Sequence, residues 1–190
     1  MVVTRIDSAQ HPLADEWWAL YESAFPATER RGAAQHAAAL QETSFHCLHL
    51  ADAAGFVGLL SYWQWDSLVY VEHLAINPER RGQGLGHAVL ELLPAPAILE
   101  IEPVVDEPTL RRLAFYESCG FVRLPQPHIQ LAYQAGLPAV PLWLLSRPVL
   151  SEAEVAAFEQ LYHEYPMQYS DAGKSAIPAP AVDKVENSGQ

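Results

Sequence analysis

The sequence predicts a mixed α/β fold of the α+β type, in which a mostly antiparallel central sheet is flanked by helices. Three observations predict it. Between Phe45 and Ile76 three β-rich runs, FHCLHLAD, GFVGLLSYWQW and LVYVEHLAI, follow one another across short separators, as antiparallel hairpins do. After Asn77-Pro78 the apolar pattern changes to the three- and four-residue steps of a helix. Beyond Pro94 compact strand-like and helical stretches are intermixed.

The elements follow in order. Val2 to Ile6 is a short β-like run. Asp15 stands as a helix cap in DEWWALYESAF, where Trp17, Leu20, Tyr21 and Ala24 share one face, and Pro26 ends the helix. An alanine-rich stretch from Glu29 to Glu42 reads as a second helix, weakened by Gly32. The three strands come next, divided at Asp52–Gly55 and at Asp66–Ser67. Leu85, Ala88, Val89 and Leu92 then form the apolar face of a helix that Pro94 and Pro96 stop. AILEIEP is a compact strand. Thr109 to Ser118 is a helix that Gly120 ends by supplying a left-handed residue. FVRL, HIQLAY and PLWLLSR are further strand candidates. SEAEVAAFEQLYHEY is an amphipathic helix that opens with the capping box Ser151-x-x-Glu154. Residues 1–165 are expected to form one domain. From Pro166 to Gln190 large apolar residues are scarce, which predicts a disordered tail over 166–190.

Composition bounds the function. A chain of 190 residues, half of them apolar and 10% aromatic, has ample material for one packed core. Eleven basic residues against 23 acidic ones leave a net charge of −12, which argues against nucleic acid and anionic membranes as partners. The uncharged run from Leu124 to Ser146 contains Pro125, Pro127, Pro138 and Pro141, so it reads as strands and loops instead of a membrane helix. Cys47 and Cys119 are too few for a disulfide framework, and the amino terminus is polar where a signal peptide is apolar. A cytoplasmic location is expected, and a homodimer is left open.

The informative stretch is YVEHLAINPERRGQGLGHAVLELL, Tyr70 to Leu93. A strand runs into a basic, glycine-dense turn and then a helix. Glycines let the backbone approach a ligand closely and turn successive N–H groups towards one point, with the positive helix end facing it, so the turn is a cradle for a phosphate or pyrophosphate. A P-loop would need a Gly-Lys pair where His87 stands. A dinucleotide fingerprint would need a small residue at His87 or Val89. What remains is Arg81-x-x-Gly84-x-Gly86.

That motif resembles the loop of the GCN5-related N-acetyltransferases, the GNAT superfamily, in which Gln/Arg-x-x-Gly-x-Gly/Ala holds the pyrophosphate of acetyl-CoA. A second stretch, Leu113-Ala114-Phe115-Tyr116-Glu117-Ser118-Cys119-Gly120-Phe121, resembles the family's Phe-Tyr-x-x-x-Gly-Phe segment. The resemblance implies a sheet splayed at the acetyl-CoA site, between the Leu68–Ile76 and Ala97–Ile101 strands. It implies acetyl-CoA as cosubstrate, no metal, and a small-molecule or peptide amine that attacks directly in a ternary complex. The cofactor contacts it implies are the main chain of Leu74, Ala75 and Ile76, then Arg81, Gly82, Gln83, Gly84, Leu85, Gly86 and His87. Thr109 and Tyr116 join them, with Thr109 standing where many members carry an asparagine. An acyl-CoA-binding regulatory domain without turnover is the alternative on the same residues.

Amine acetylation needs a neutral amine, a polarised carbonyl and a proton for the departing thiolate. Tyr116 is the candidate acid, since a phenol keeps its proton at neutral pH. Glu72 is the candidate base; the other reading of it is an ion pair to Arg30 or Arg31. Strand alternation places Tyr70, Glu72 and Leu74 on one face and turns His73, the second candidate base, away from Glu72. Arg111 and Arg112 face either the cofactor's phosphates or solvent. Glu100 and Glu102 share a strand face and are expected on the substrate side. Glu29-Arg30-Arg31 falls where the family's first helices wall the acceptor pocket. His46 and His49 fall on opposite strand faces and so do not pair on a metal. Cys119, at a helix carboxyl end, is a poor nucleophile.

Overall fold

The computed structural model describes residues 1–94 and 96–171. Seven strands form one sheet in the order β1-β2-β3-β4-β5-β7-β6, with β1 Val2–Arg5, β2 Phe45–Asp52, β3 Gly55–Trp65, β4 Leu68–Ile76, β5 Ala97–Ile101, β6 Val122–Gln130 and β7 Val140–Arg147. All neighbours run antiparallel except β4 and β5. The hairpins read from the short separators are present: Asp52 pairs with Gly55, and Trp65 pairs with Leu68.

Helices α1 (Ala14–Ala24), α2 (Ala33–Ala39) and α5 (Glu152–Glu164) cover one sheet face, and α3 (Leu85–Leu90) and α4 (Glu107–Ser118) the other. On the first face Trp17, Tyr21, Phe45, Trp63, Tyr70, Phe158 and Tyr162 pack together; on the second, Leu50, Val57, Val71, Leu90, Leu99 and Phe121 do. Among the described residues no helix is long and apolar enough to cross a membrane.

Several expected boundaries move. Leu13, not Asp15, is the N-cap of α1, and Asp15 lies in its first turn. The stretch read as one helix from Glu29 begins as a 3-10 turn, Ala27–Glu29, and α2 starts only after Gly32. The cause is Arg31: its side chain is drawn into the core with 0% exposure, and its N–H donates to the Tyr21 hydroxyl, which holds the backbone extended. FVRL and the start of HIQLAY form one strand, β6, with an irregularity between Arg123 and Pro127. The domain also runs past 165. Pro166–Tyr169 is a 3-10 turn whose Met167 is buried and whose Pro166 carbonyl accepts from Arg31 Nη2, so the expected tail does not begin at Pro166. The rest of that tail, 172–190, lies outside the described residues.

Candidate active site

Parallel pairing between β4 and β5 covers Val69, Tyr70 and Val71 against Ala97, Ile98 and Leu99, and ends there. Beyond it the two strands diverge, leaving Glu72–Ile76 without a β5 partner along that edge. A cavity of about 640 Å³ fills the opening and reaches the glycine turn. Main-chain donors and acceptors that no neighbouring strand uses are what an extended, amide-bearing ligand arm can bond.

At the turn Asn77 caps the 3-10 segment Pro78–Arg80 by accepting from the Glu79 N–H. Arg80 is held by Asp52 through two bonds of 3.1 and 2.7 Å. Among the described residues the Arg81 side chain donates only to the Ile76 carbonyl and pairs with no carboxylate, so its charge is available at the cavity rim. Gly84 takes φ +73°, a left-handed conformation that a side chain would strain. At Gly86 a Cβ would come within 2.9 Å of the Phe115 ring, so only glycine lets α3 and α4 approach this closely.

The cavity collects most of the sequence-derived cofactor residues: Leu74, Ala75 and Ile76 from β4; Arg81, Gly82, Gly84, Leu85, Gly86 and His87 from the turn; and Tyr116 from α4. Gln83 and Thr109 do not line it. Thr109 instead closes the start of α4. Its hydroxyl engages Asp106 and accepts the N–H groups of Val105 and Asp106, while its own N–H donates to the Asp106 carboxylate. A side chain so engaged has little left for a pantetheine arm.

Tyr116 packs edge-on against Phe115 and Phe121, and its hydroxyl has no hydrogen-bond partner among the described residues. Burial pushes its pKa up to about 12, against a small opposing pull from Arg112. It therefore holds a proton at neutral pH.

Glu72 departs from the expectation. β4 carries a bulge: Val71 opposes Tyr62 and His73 opposes Ser61, leaving Glu72 as the extra residue. Alternation breaks there, so Glu72 and His73 come together, 3.7 Å apart, while Leu74 packs on the opposite face. Glu72 Oε2 accepts from Arg31 Nη1 at 2.6 Å and from Trp63 Nε1 at 3.3 Å, and Oε1 accepts from the Tyr133 hydroxyl at 2.7 Å. Burial alone would raise its pKa, but Arg31 and these hydrogen bonds hold it below the ordinary value. Glu72 is thus ion-paired to Arg31, the other reading of this residue, and its two oxygens are already engaged. Arg30 bonds Glu22 instead.

His73 is no freer. Its Nε2 bonds the Glu29 carbonyl, which can only accept, so Nε2 carries the proton and Nδ1 accepts from Ser61. Burial lowers its pKa and keeps the ring neutral.

Sequence reasoning missed a cluster beside the cavity. Tyr70 donates to Glu100 Oε2 at 2.9 Å, Glu100 Oε1 contacts His128 Nε2, and His128 Nδ1 meets Glu159 at 2.7 Å. Burial opposes charge on His128, but the two carboxylates that grip it push its pKa up to about 9. No local pattern links β5, β6 and α5, so no signal in the chain pointed to this cluster. Glu102 and Arg112 pair at the cavity edge. His46 and His49 do diverge: one stacks on Tyr62, the other on Phe56 with Glu16 beside it.

The sequence model of a family described as acetyltransferase (GNAT) domain matches residues 42–123, the stretch from β2 through the glycine turn, α3, β5 and α4 to the first residues of β6. A solved structure of a GNAT-family protein from Bacteroides thetaiotaomicron aligns over 87% of the chain and 98% of its own, with a TM-score of 0.79 and 27% identity. The chain thus resembles GNAT acetyltransferases in sequence over residues 42–123 and in fold over most of its length. Among curated proteins, a relative is YjbC of Bacillus subtilis, whose name carries a provisional acetyltransferase assignment. It is 33% identical over 110 residues, which is 55% of this chain and 56% of YjbC, so the chain matches little more than half of that relative's length. An aminoglycoside 6′-N-acetyltransferase solved with coenzyme A shares the GNAT fold at a TM-score of 0.55 and 16% identity, over 77% of this chain and 96% of its own.

Proposed function

We propose that this GNAT-fold domain transfers the acetyl group of acetyl-CoA to an amine by direct attack within a ternary complex. The observation that carries the reading is the slot where β4 and β5 part. It opens onto the glycine turn at one end and holds the Tyr116 phenol in its wall. The residues present fit the cosubstrate: an unpaired strand edge for an amide-bearing arm, a turn with open space around Gly82 and Gly84 for phosphates, and an unpaired Arg81 for their charge. Bound acetyl-CoA would supply the activated acyl thioester. Main-chain groups of Leu74, Ala75 and Ile76 would orient it, and one of their N–H groups would polarise its carbonyl. Tyr116 would give its proton to the departing sulfur. Glu72, tied to Arg31, would keep the cavity wall rigid.

The test is ligand-dependent melting followed by turnover. Acetyl-CoA should raise the thermal midpoint while NAD and ATP at the same concentration do not, because only a ligand that binds the folded state stabilises it. CoA should then be released in the presence of a suitable amine from a panel of polyamines, amino-sugars and peptides with free amino termini. Stabilisation by NAD alone would overturn the reading.

A further inference from the structure

Glu29, Glu72, Glu100 and Glu102 all line the cavity, and three of them are already engaged. Glu72 is held by Arg31, Trp63 and Tyr133; Glu100 by Tyr70 and His128; Glu102 by Arg112. The Glu29 carboxylate differs. Among the described residues it has neither an ion-pair partner nor a hydrogen-bond donor. Its backbone, by contrast, is fixed: the N–H donates to the Pro26 carbonyl at 3.0 Å, and the carbonyl accepts from His73 Nε2 at 2.9 Å. A rigid main chain thus holds this carboxylate in the cavity wall, beside Phe25 and Pro26.

We infer that Glu29 is the general base that takes the proton from the attacking amine, an inference that rests on the N-acetyltransfer reading above. The step balances. An ammonium gives one proton to Glu29, which passes it to solvent, and the freed nitrogen lone pair forms the C–N bond as the C–S bond breaks. Tyr116 protonates the leaving sulfur, and the nitrogen's second proton restores the phenol. Thioester and ammonium become amide, thiol and one released proton.

The surroundings favour that role. The charged or titratable groups of its own segment and of the cavity wall include Arg112 of α4, Glu100 and Glu102 of β5, Glu72 and His73 of β4, and Arg30 and Arg31. Arg112, Arg31 and Arg30 are neutralised by Glu102, Glu72 and Glu22, and His73 is neutral. Burial, against Arg112 and with Glu100, raises the Glu29 pKa above the ordinary carboxylate value. A raised pKa makes a carboxylate a stronger base.

The experiment compares the full chain with its Glu29→Gln and Glu29→Asp variants. The acceptor is whichever of spermidine, phenylethylamine, kanamycin or an alanine-ended peptide the parent protein turns over best. Because the carboxylate makes no bond among the described residues, both variants should melt with the parent and bind acetyl-CoA with its affinity by calorimetry. Glu29→Gln should lower kcat/KM by about 10²-fold near neutral pH, the usual scale for a lost general base. Its rate should then climb steadily towards the pKa of the amine, where the parent's profile is level. Glu29→Asp should recover part of the rate and the level profile. A Glu29→Gln variant with the parent's rate and profile would overturn the inference and leave acetyl transfer standing. No turnover by the parent with any of the four amines would overturn both.

Discussion

Arg31 Nη1 donates to Glu72 Oε2 over 2.6 Å, with both side chains sealed from solvent. The pair joins the turn before α2 to the bulge of β4, and Arg31 reaches on to the Pro166 carbonyl. Removing one partner leaves a charge buried without compensation, so Arg31→Met and Glu72→Gln should each lose about 3–5 kcal/mol of stability in urea denaturation. The double variant Arg31→Met/Glu72→Leu should recover much of that loss. The pH dependence has a defined sign. Glu72 has a folded pKa below its unfolded value, so its contribution is present above the unfolded value and is lost as pH falls through the folded one. Losses that simply add in the double variant would show that the two side chains are not coupled.

His128 should act at the opposite end of the pH scale. Its folded pKa of about 9 lies above the ordinary histidine value, so the stability it contributes is complete below the unfolded pKa and is lost as pH rises through about 9. The amount at stake is of the order of 3 kcal/mol, since the ring is almost wholly enclosed. Unfolding free energies for the parent and His128→Gln should therefore converge at alkaline pH and differ most in mild acid. Parallel curves across the whole range would mean that the two carboxylates do not hold an imidazolium.

Much of this architecture was legible because its signals are local. The two-residue separators at Asp52–Gly55 and Asp66–Ser67 mark hairpins, and Ser151-x-x-Glu154 marks the start of α5. The glycine turn and the Tyr116 segment likewise carry their chemistry in a few adjacent residues. What stayed hidden depends on distant partners. One extra residue in β4 leaves no trace in composition, yet it turns Glu72 and His73 to the same side. Arg31 looks like a solvated helix residue until Glu72 and the Pro166 carbonyl are placed around it. Thr109 looked available for a ligand because its partner, Asp106, reads equally well as a loop residue.

The glycine turn offers a prediction in which folding and binding separate. At Gly86 a valine would push against the Phe115 ring, which would have to move within the cavity wall. At Gly84 nothing crowds a new side chain, and the penalty comes from φ +73° alone, about 1–3 kcal/mol for a non-glycine residue in that region. Both Gly84→Val and Gly86→Val should weaken acetyl-CoA binding by at least about tenfold in calorimetry, a loss of about 1.4 kcal/mol. Both should still unfold cooperatively. Unchanged affinity in a folded variant would place the phosphates away from this turn.

Tyr116 supplies the sharpest test of catalysis. Its phenol stands in the cavity wall with no partner among the described residues, and with a pKa of about 12 it stays protonated throughout the neutral range. An unpartnered hydroxyl in such a place costs free energy unless a ligand uses it, and a leaving sulfur is a group that would. Tyr116→Phe keeps the ring and its edge-on contacts with Phe115 and Phe121 while removing only the proton. It should lower kcat by about 10²-fold while acetyl-CoA affinity stays within about twofold, the pattern of an interaction made only in the transition state. A variant that loses affinity and rate together would make the hydroxyl a binding contact. An unchanged kcat would remove the tyrosine from proton transfer and leave water to protonate the thiolate.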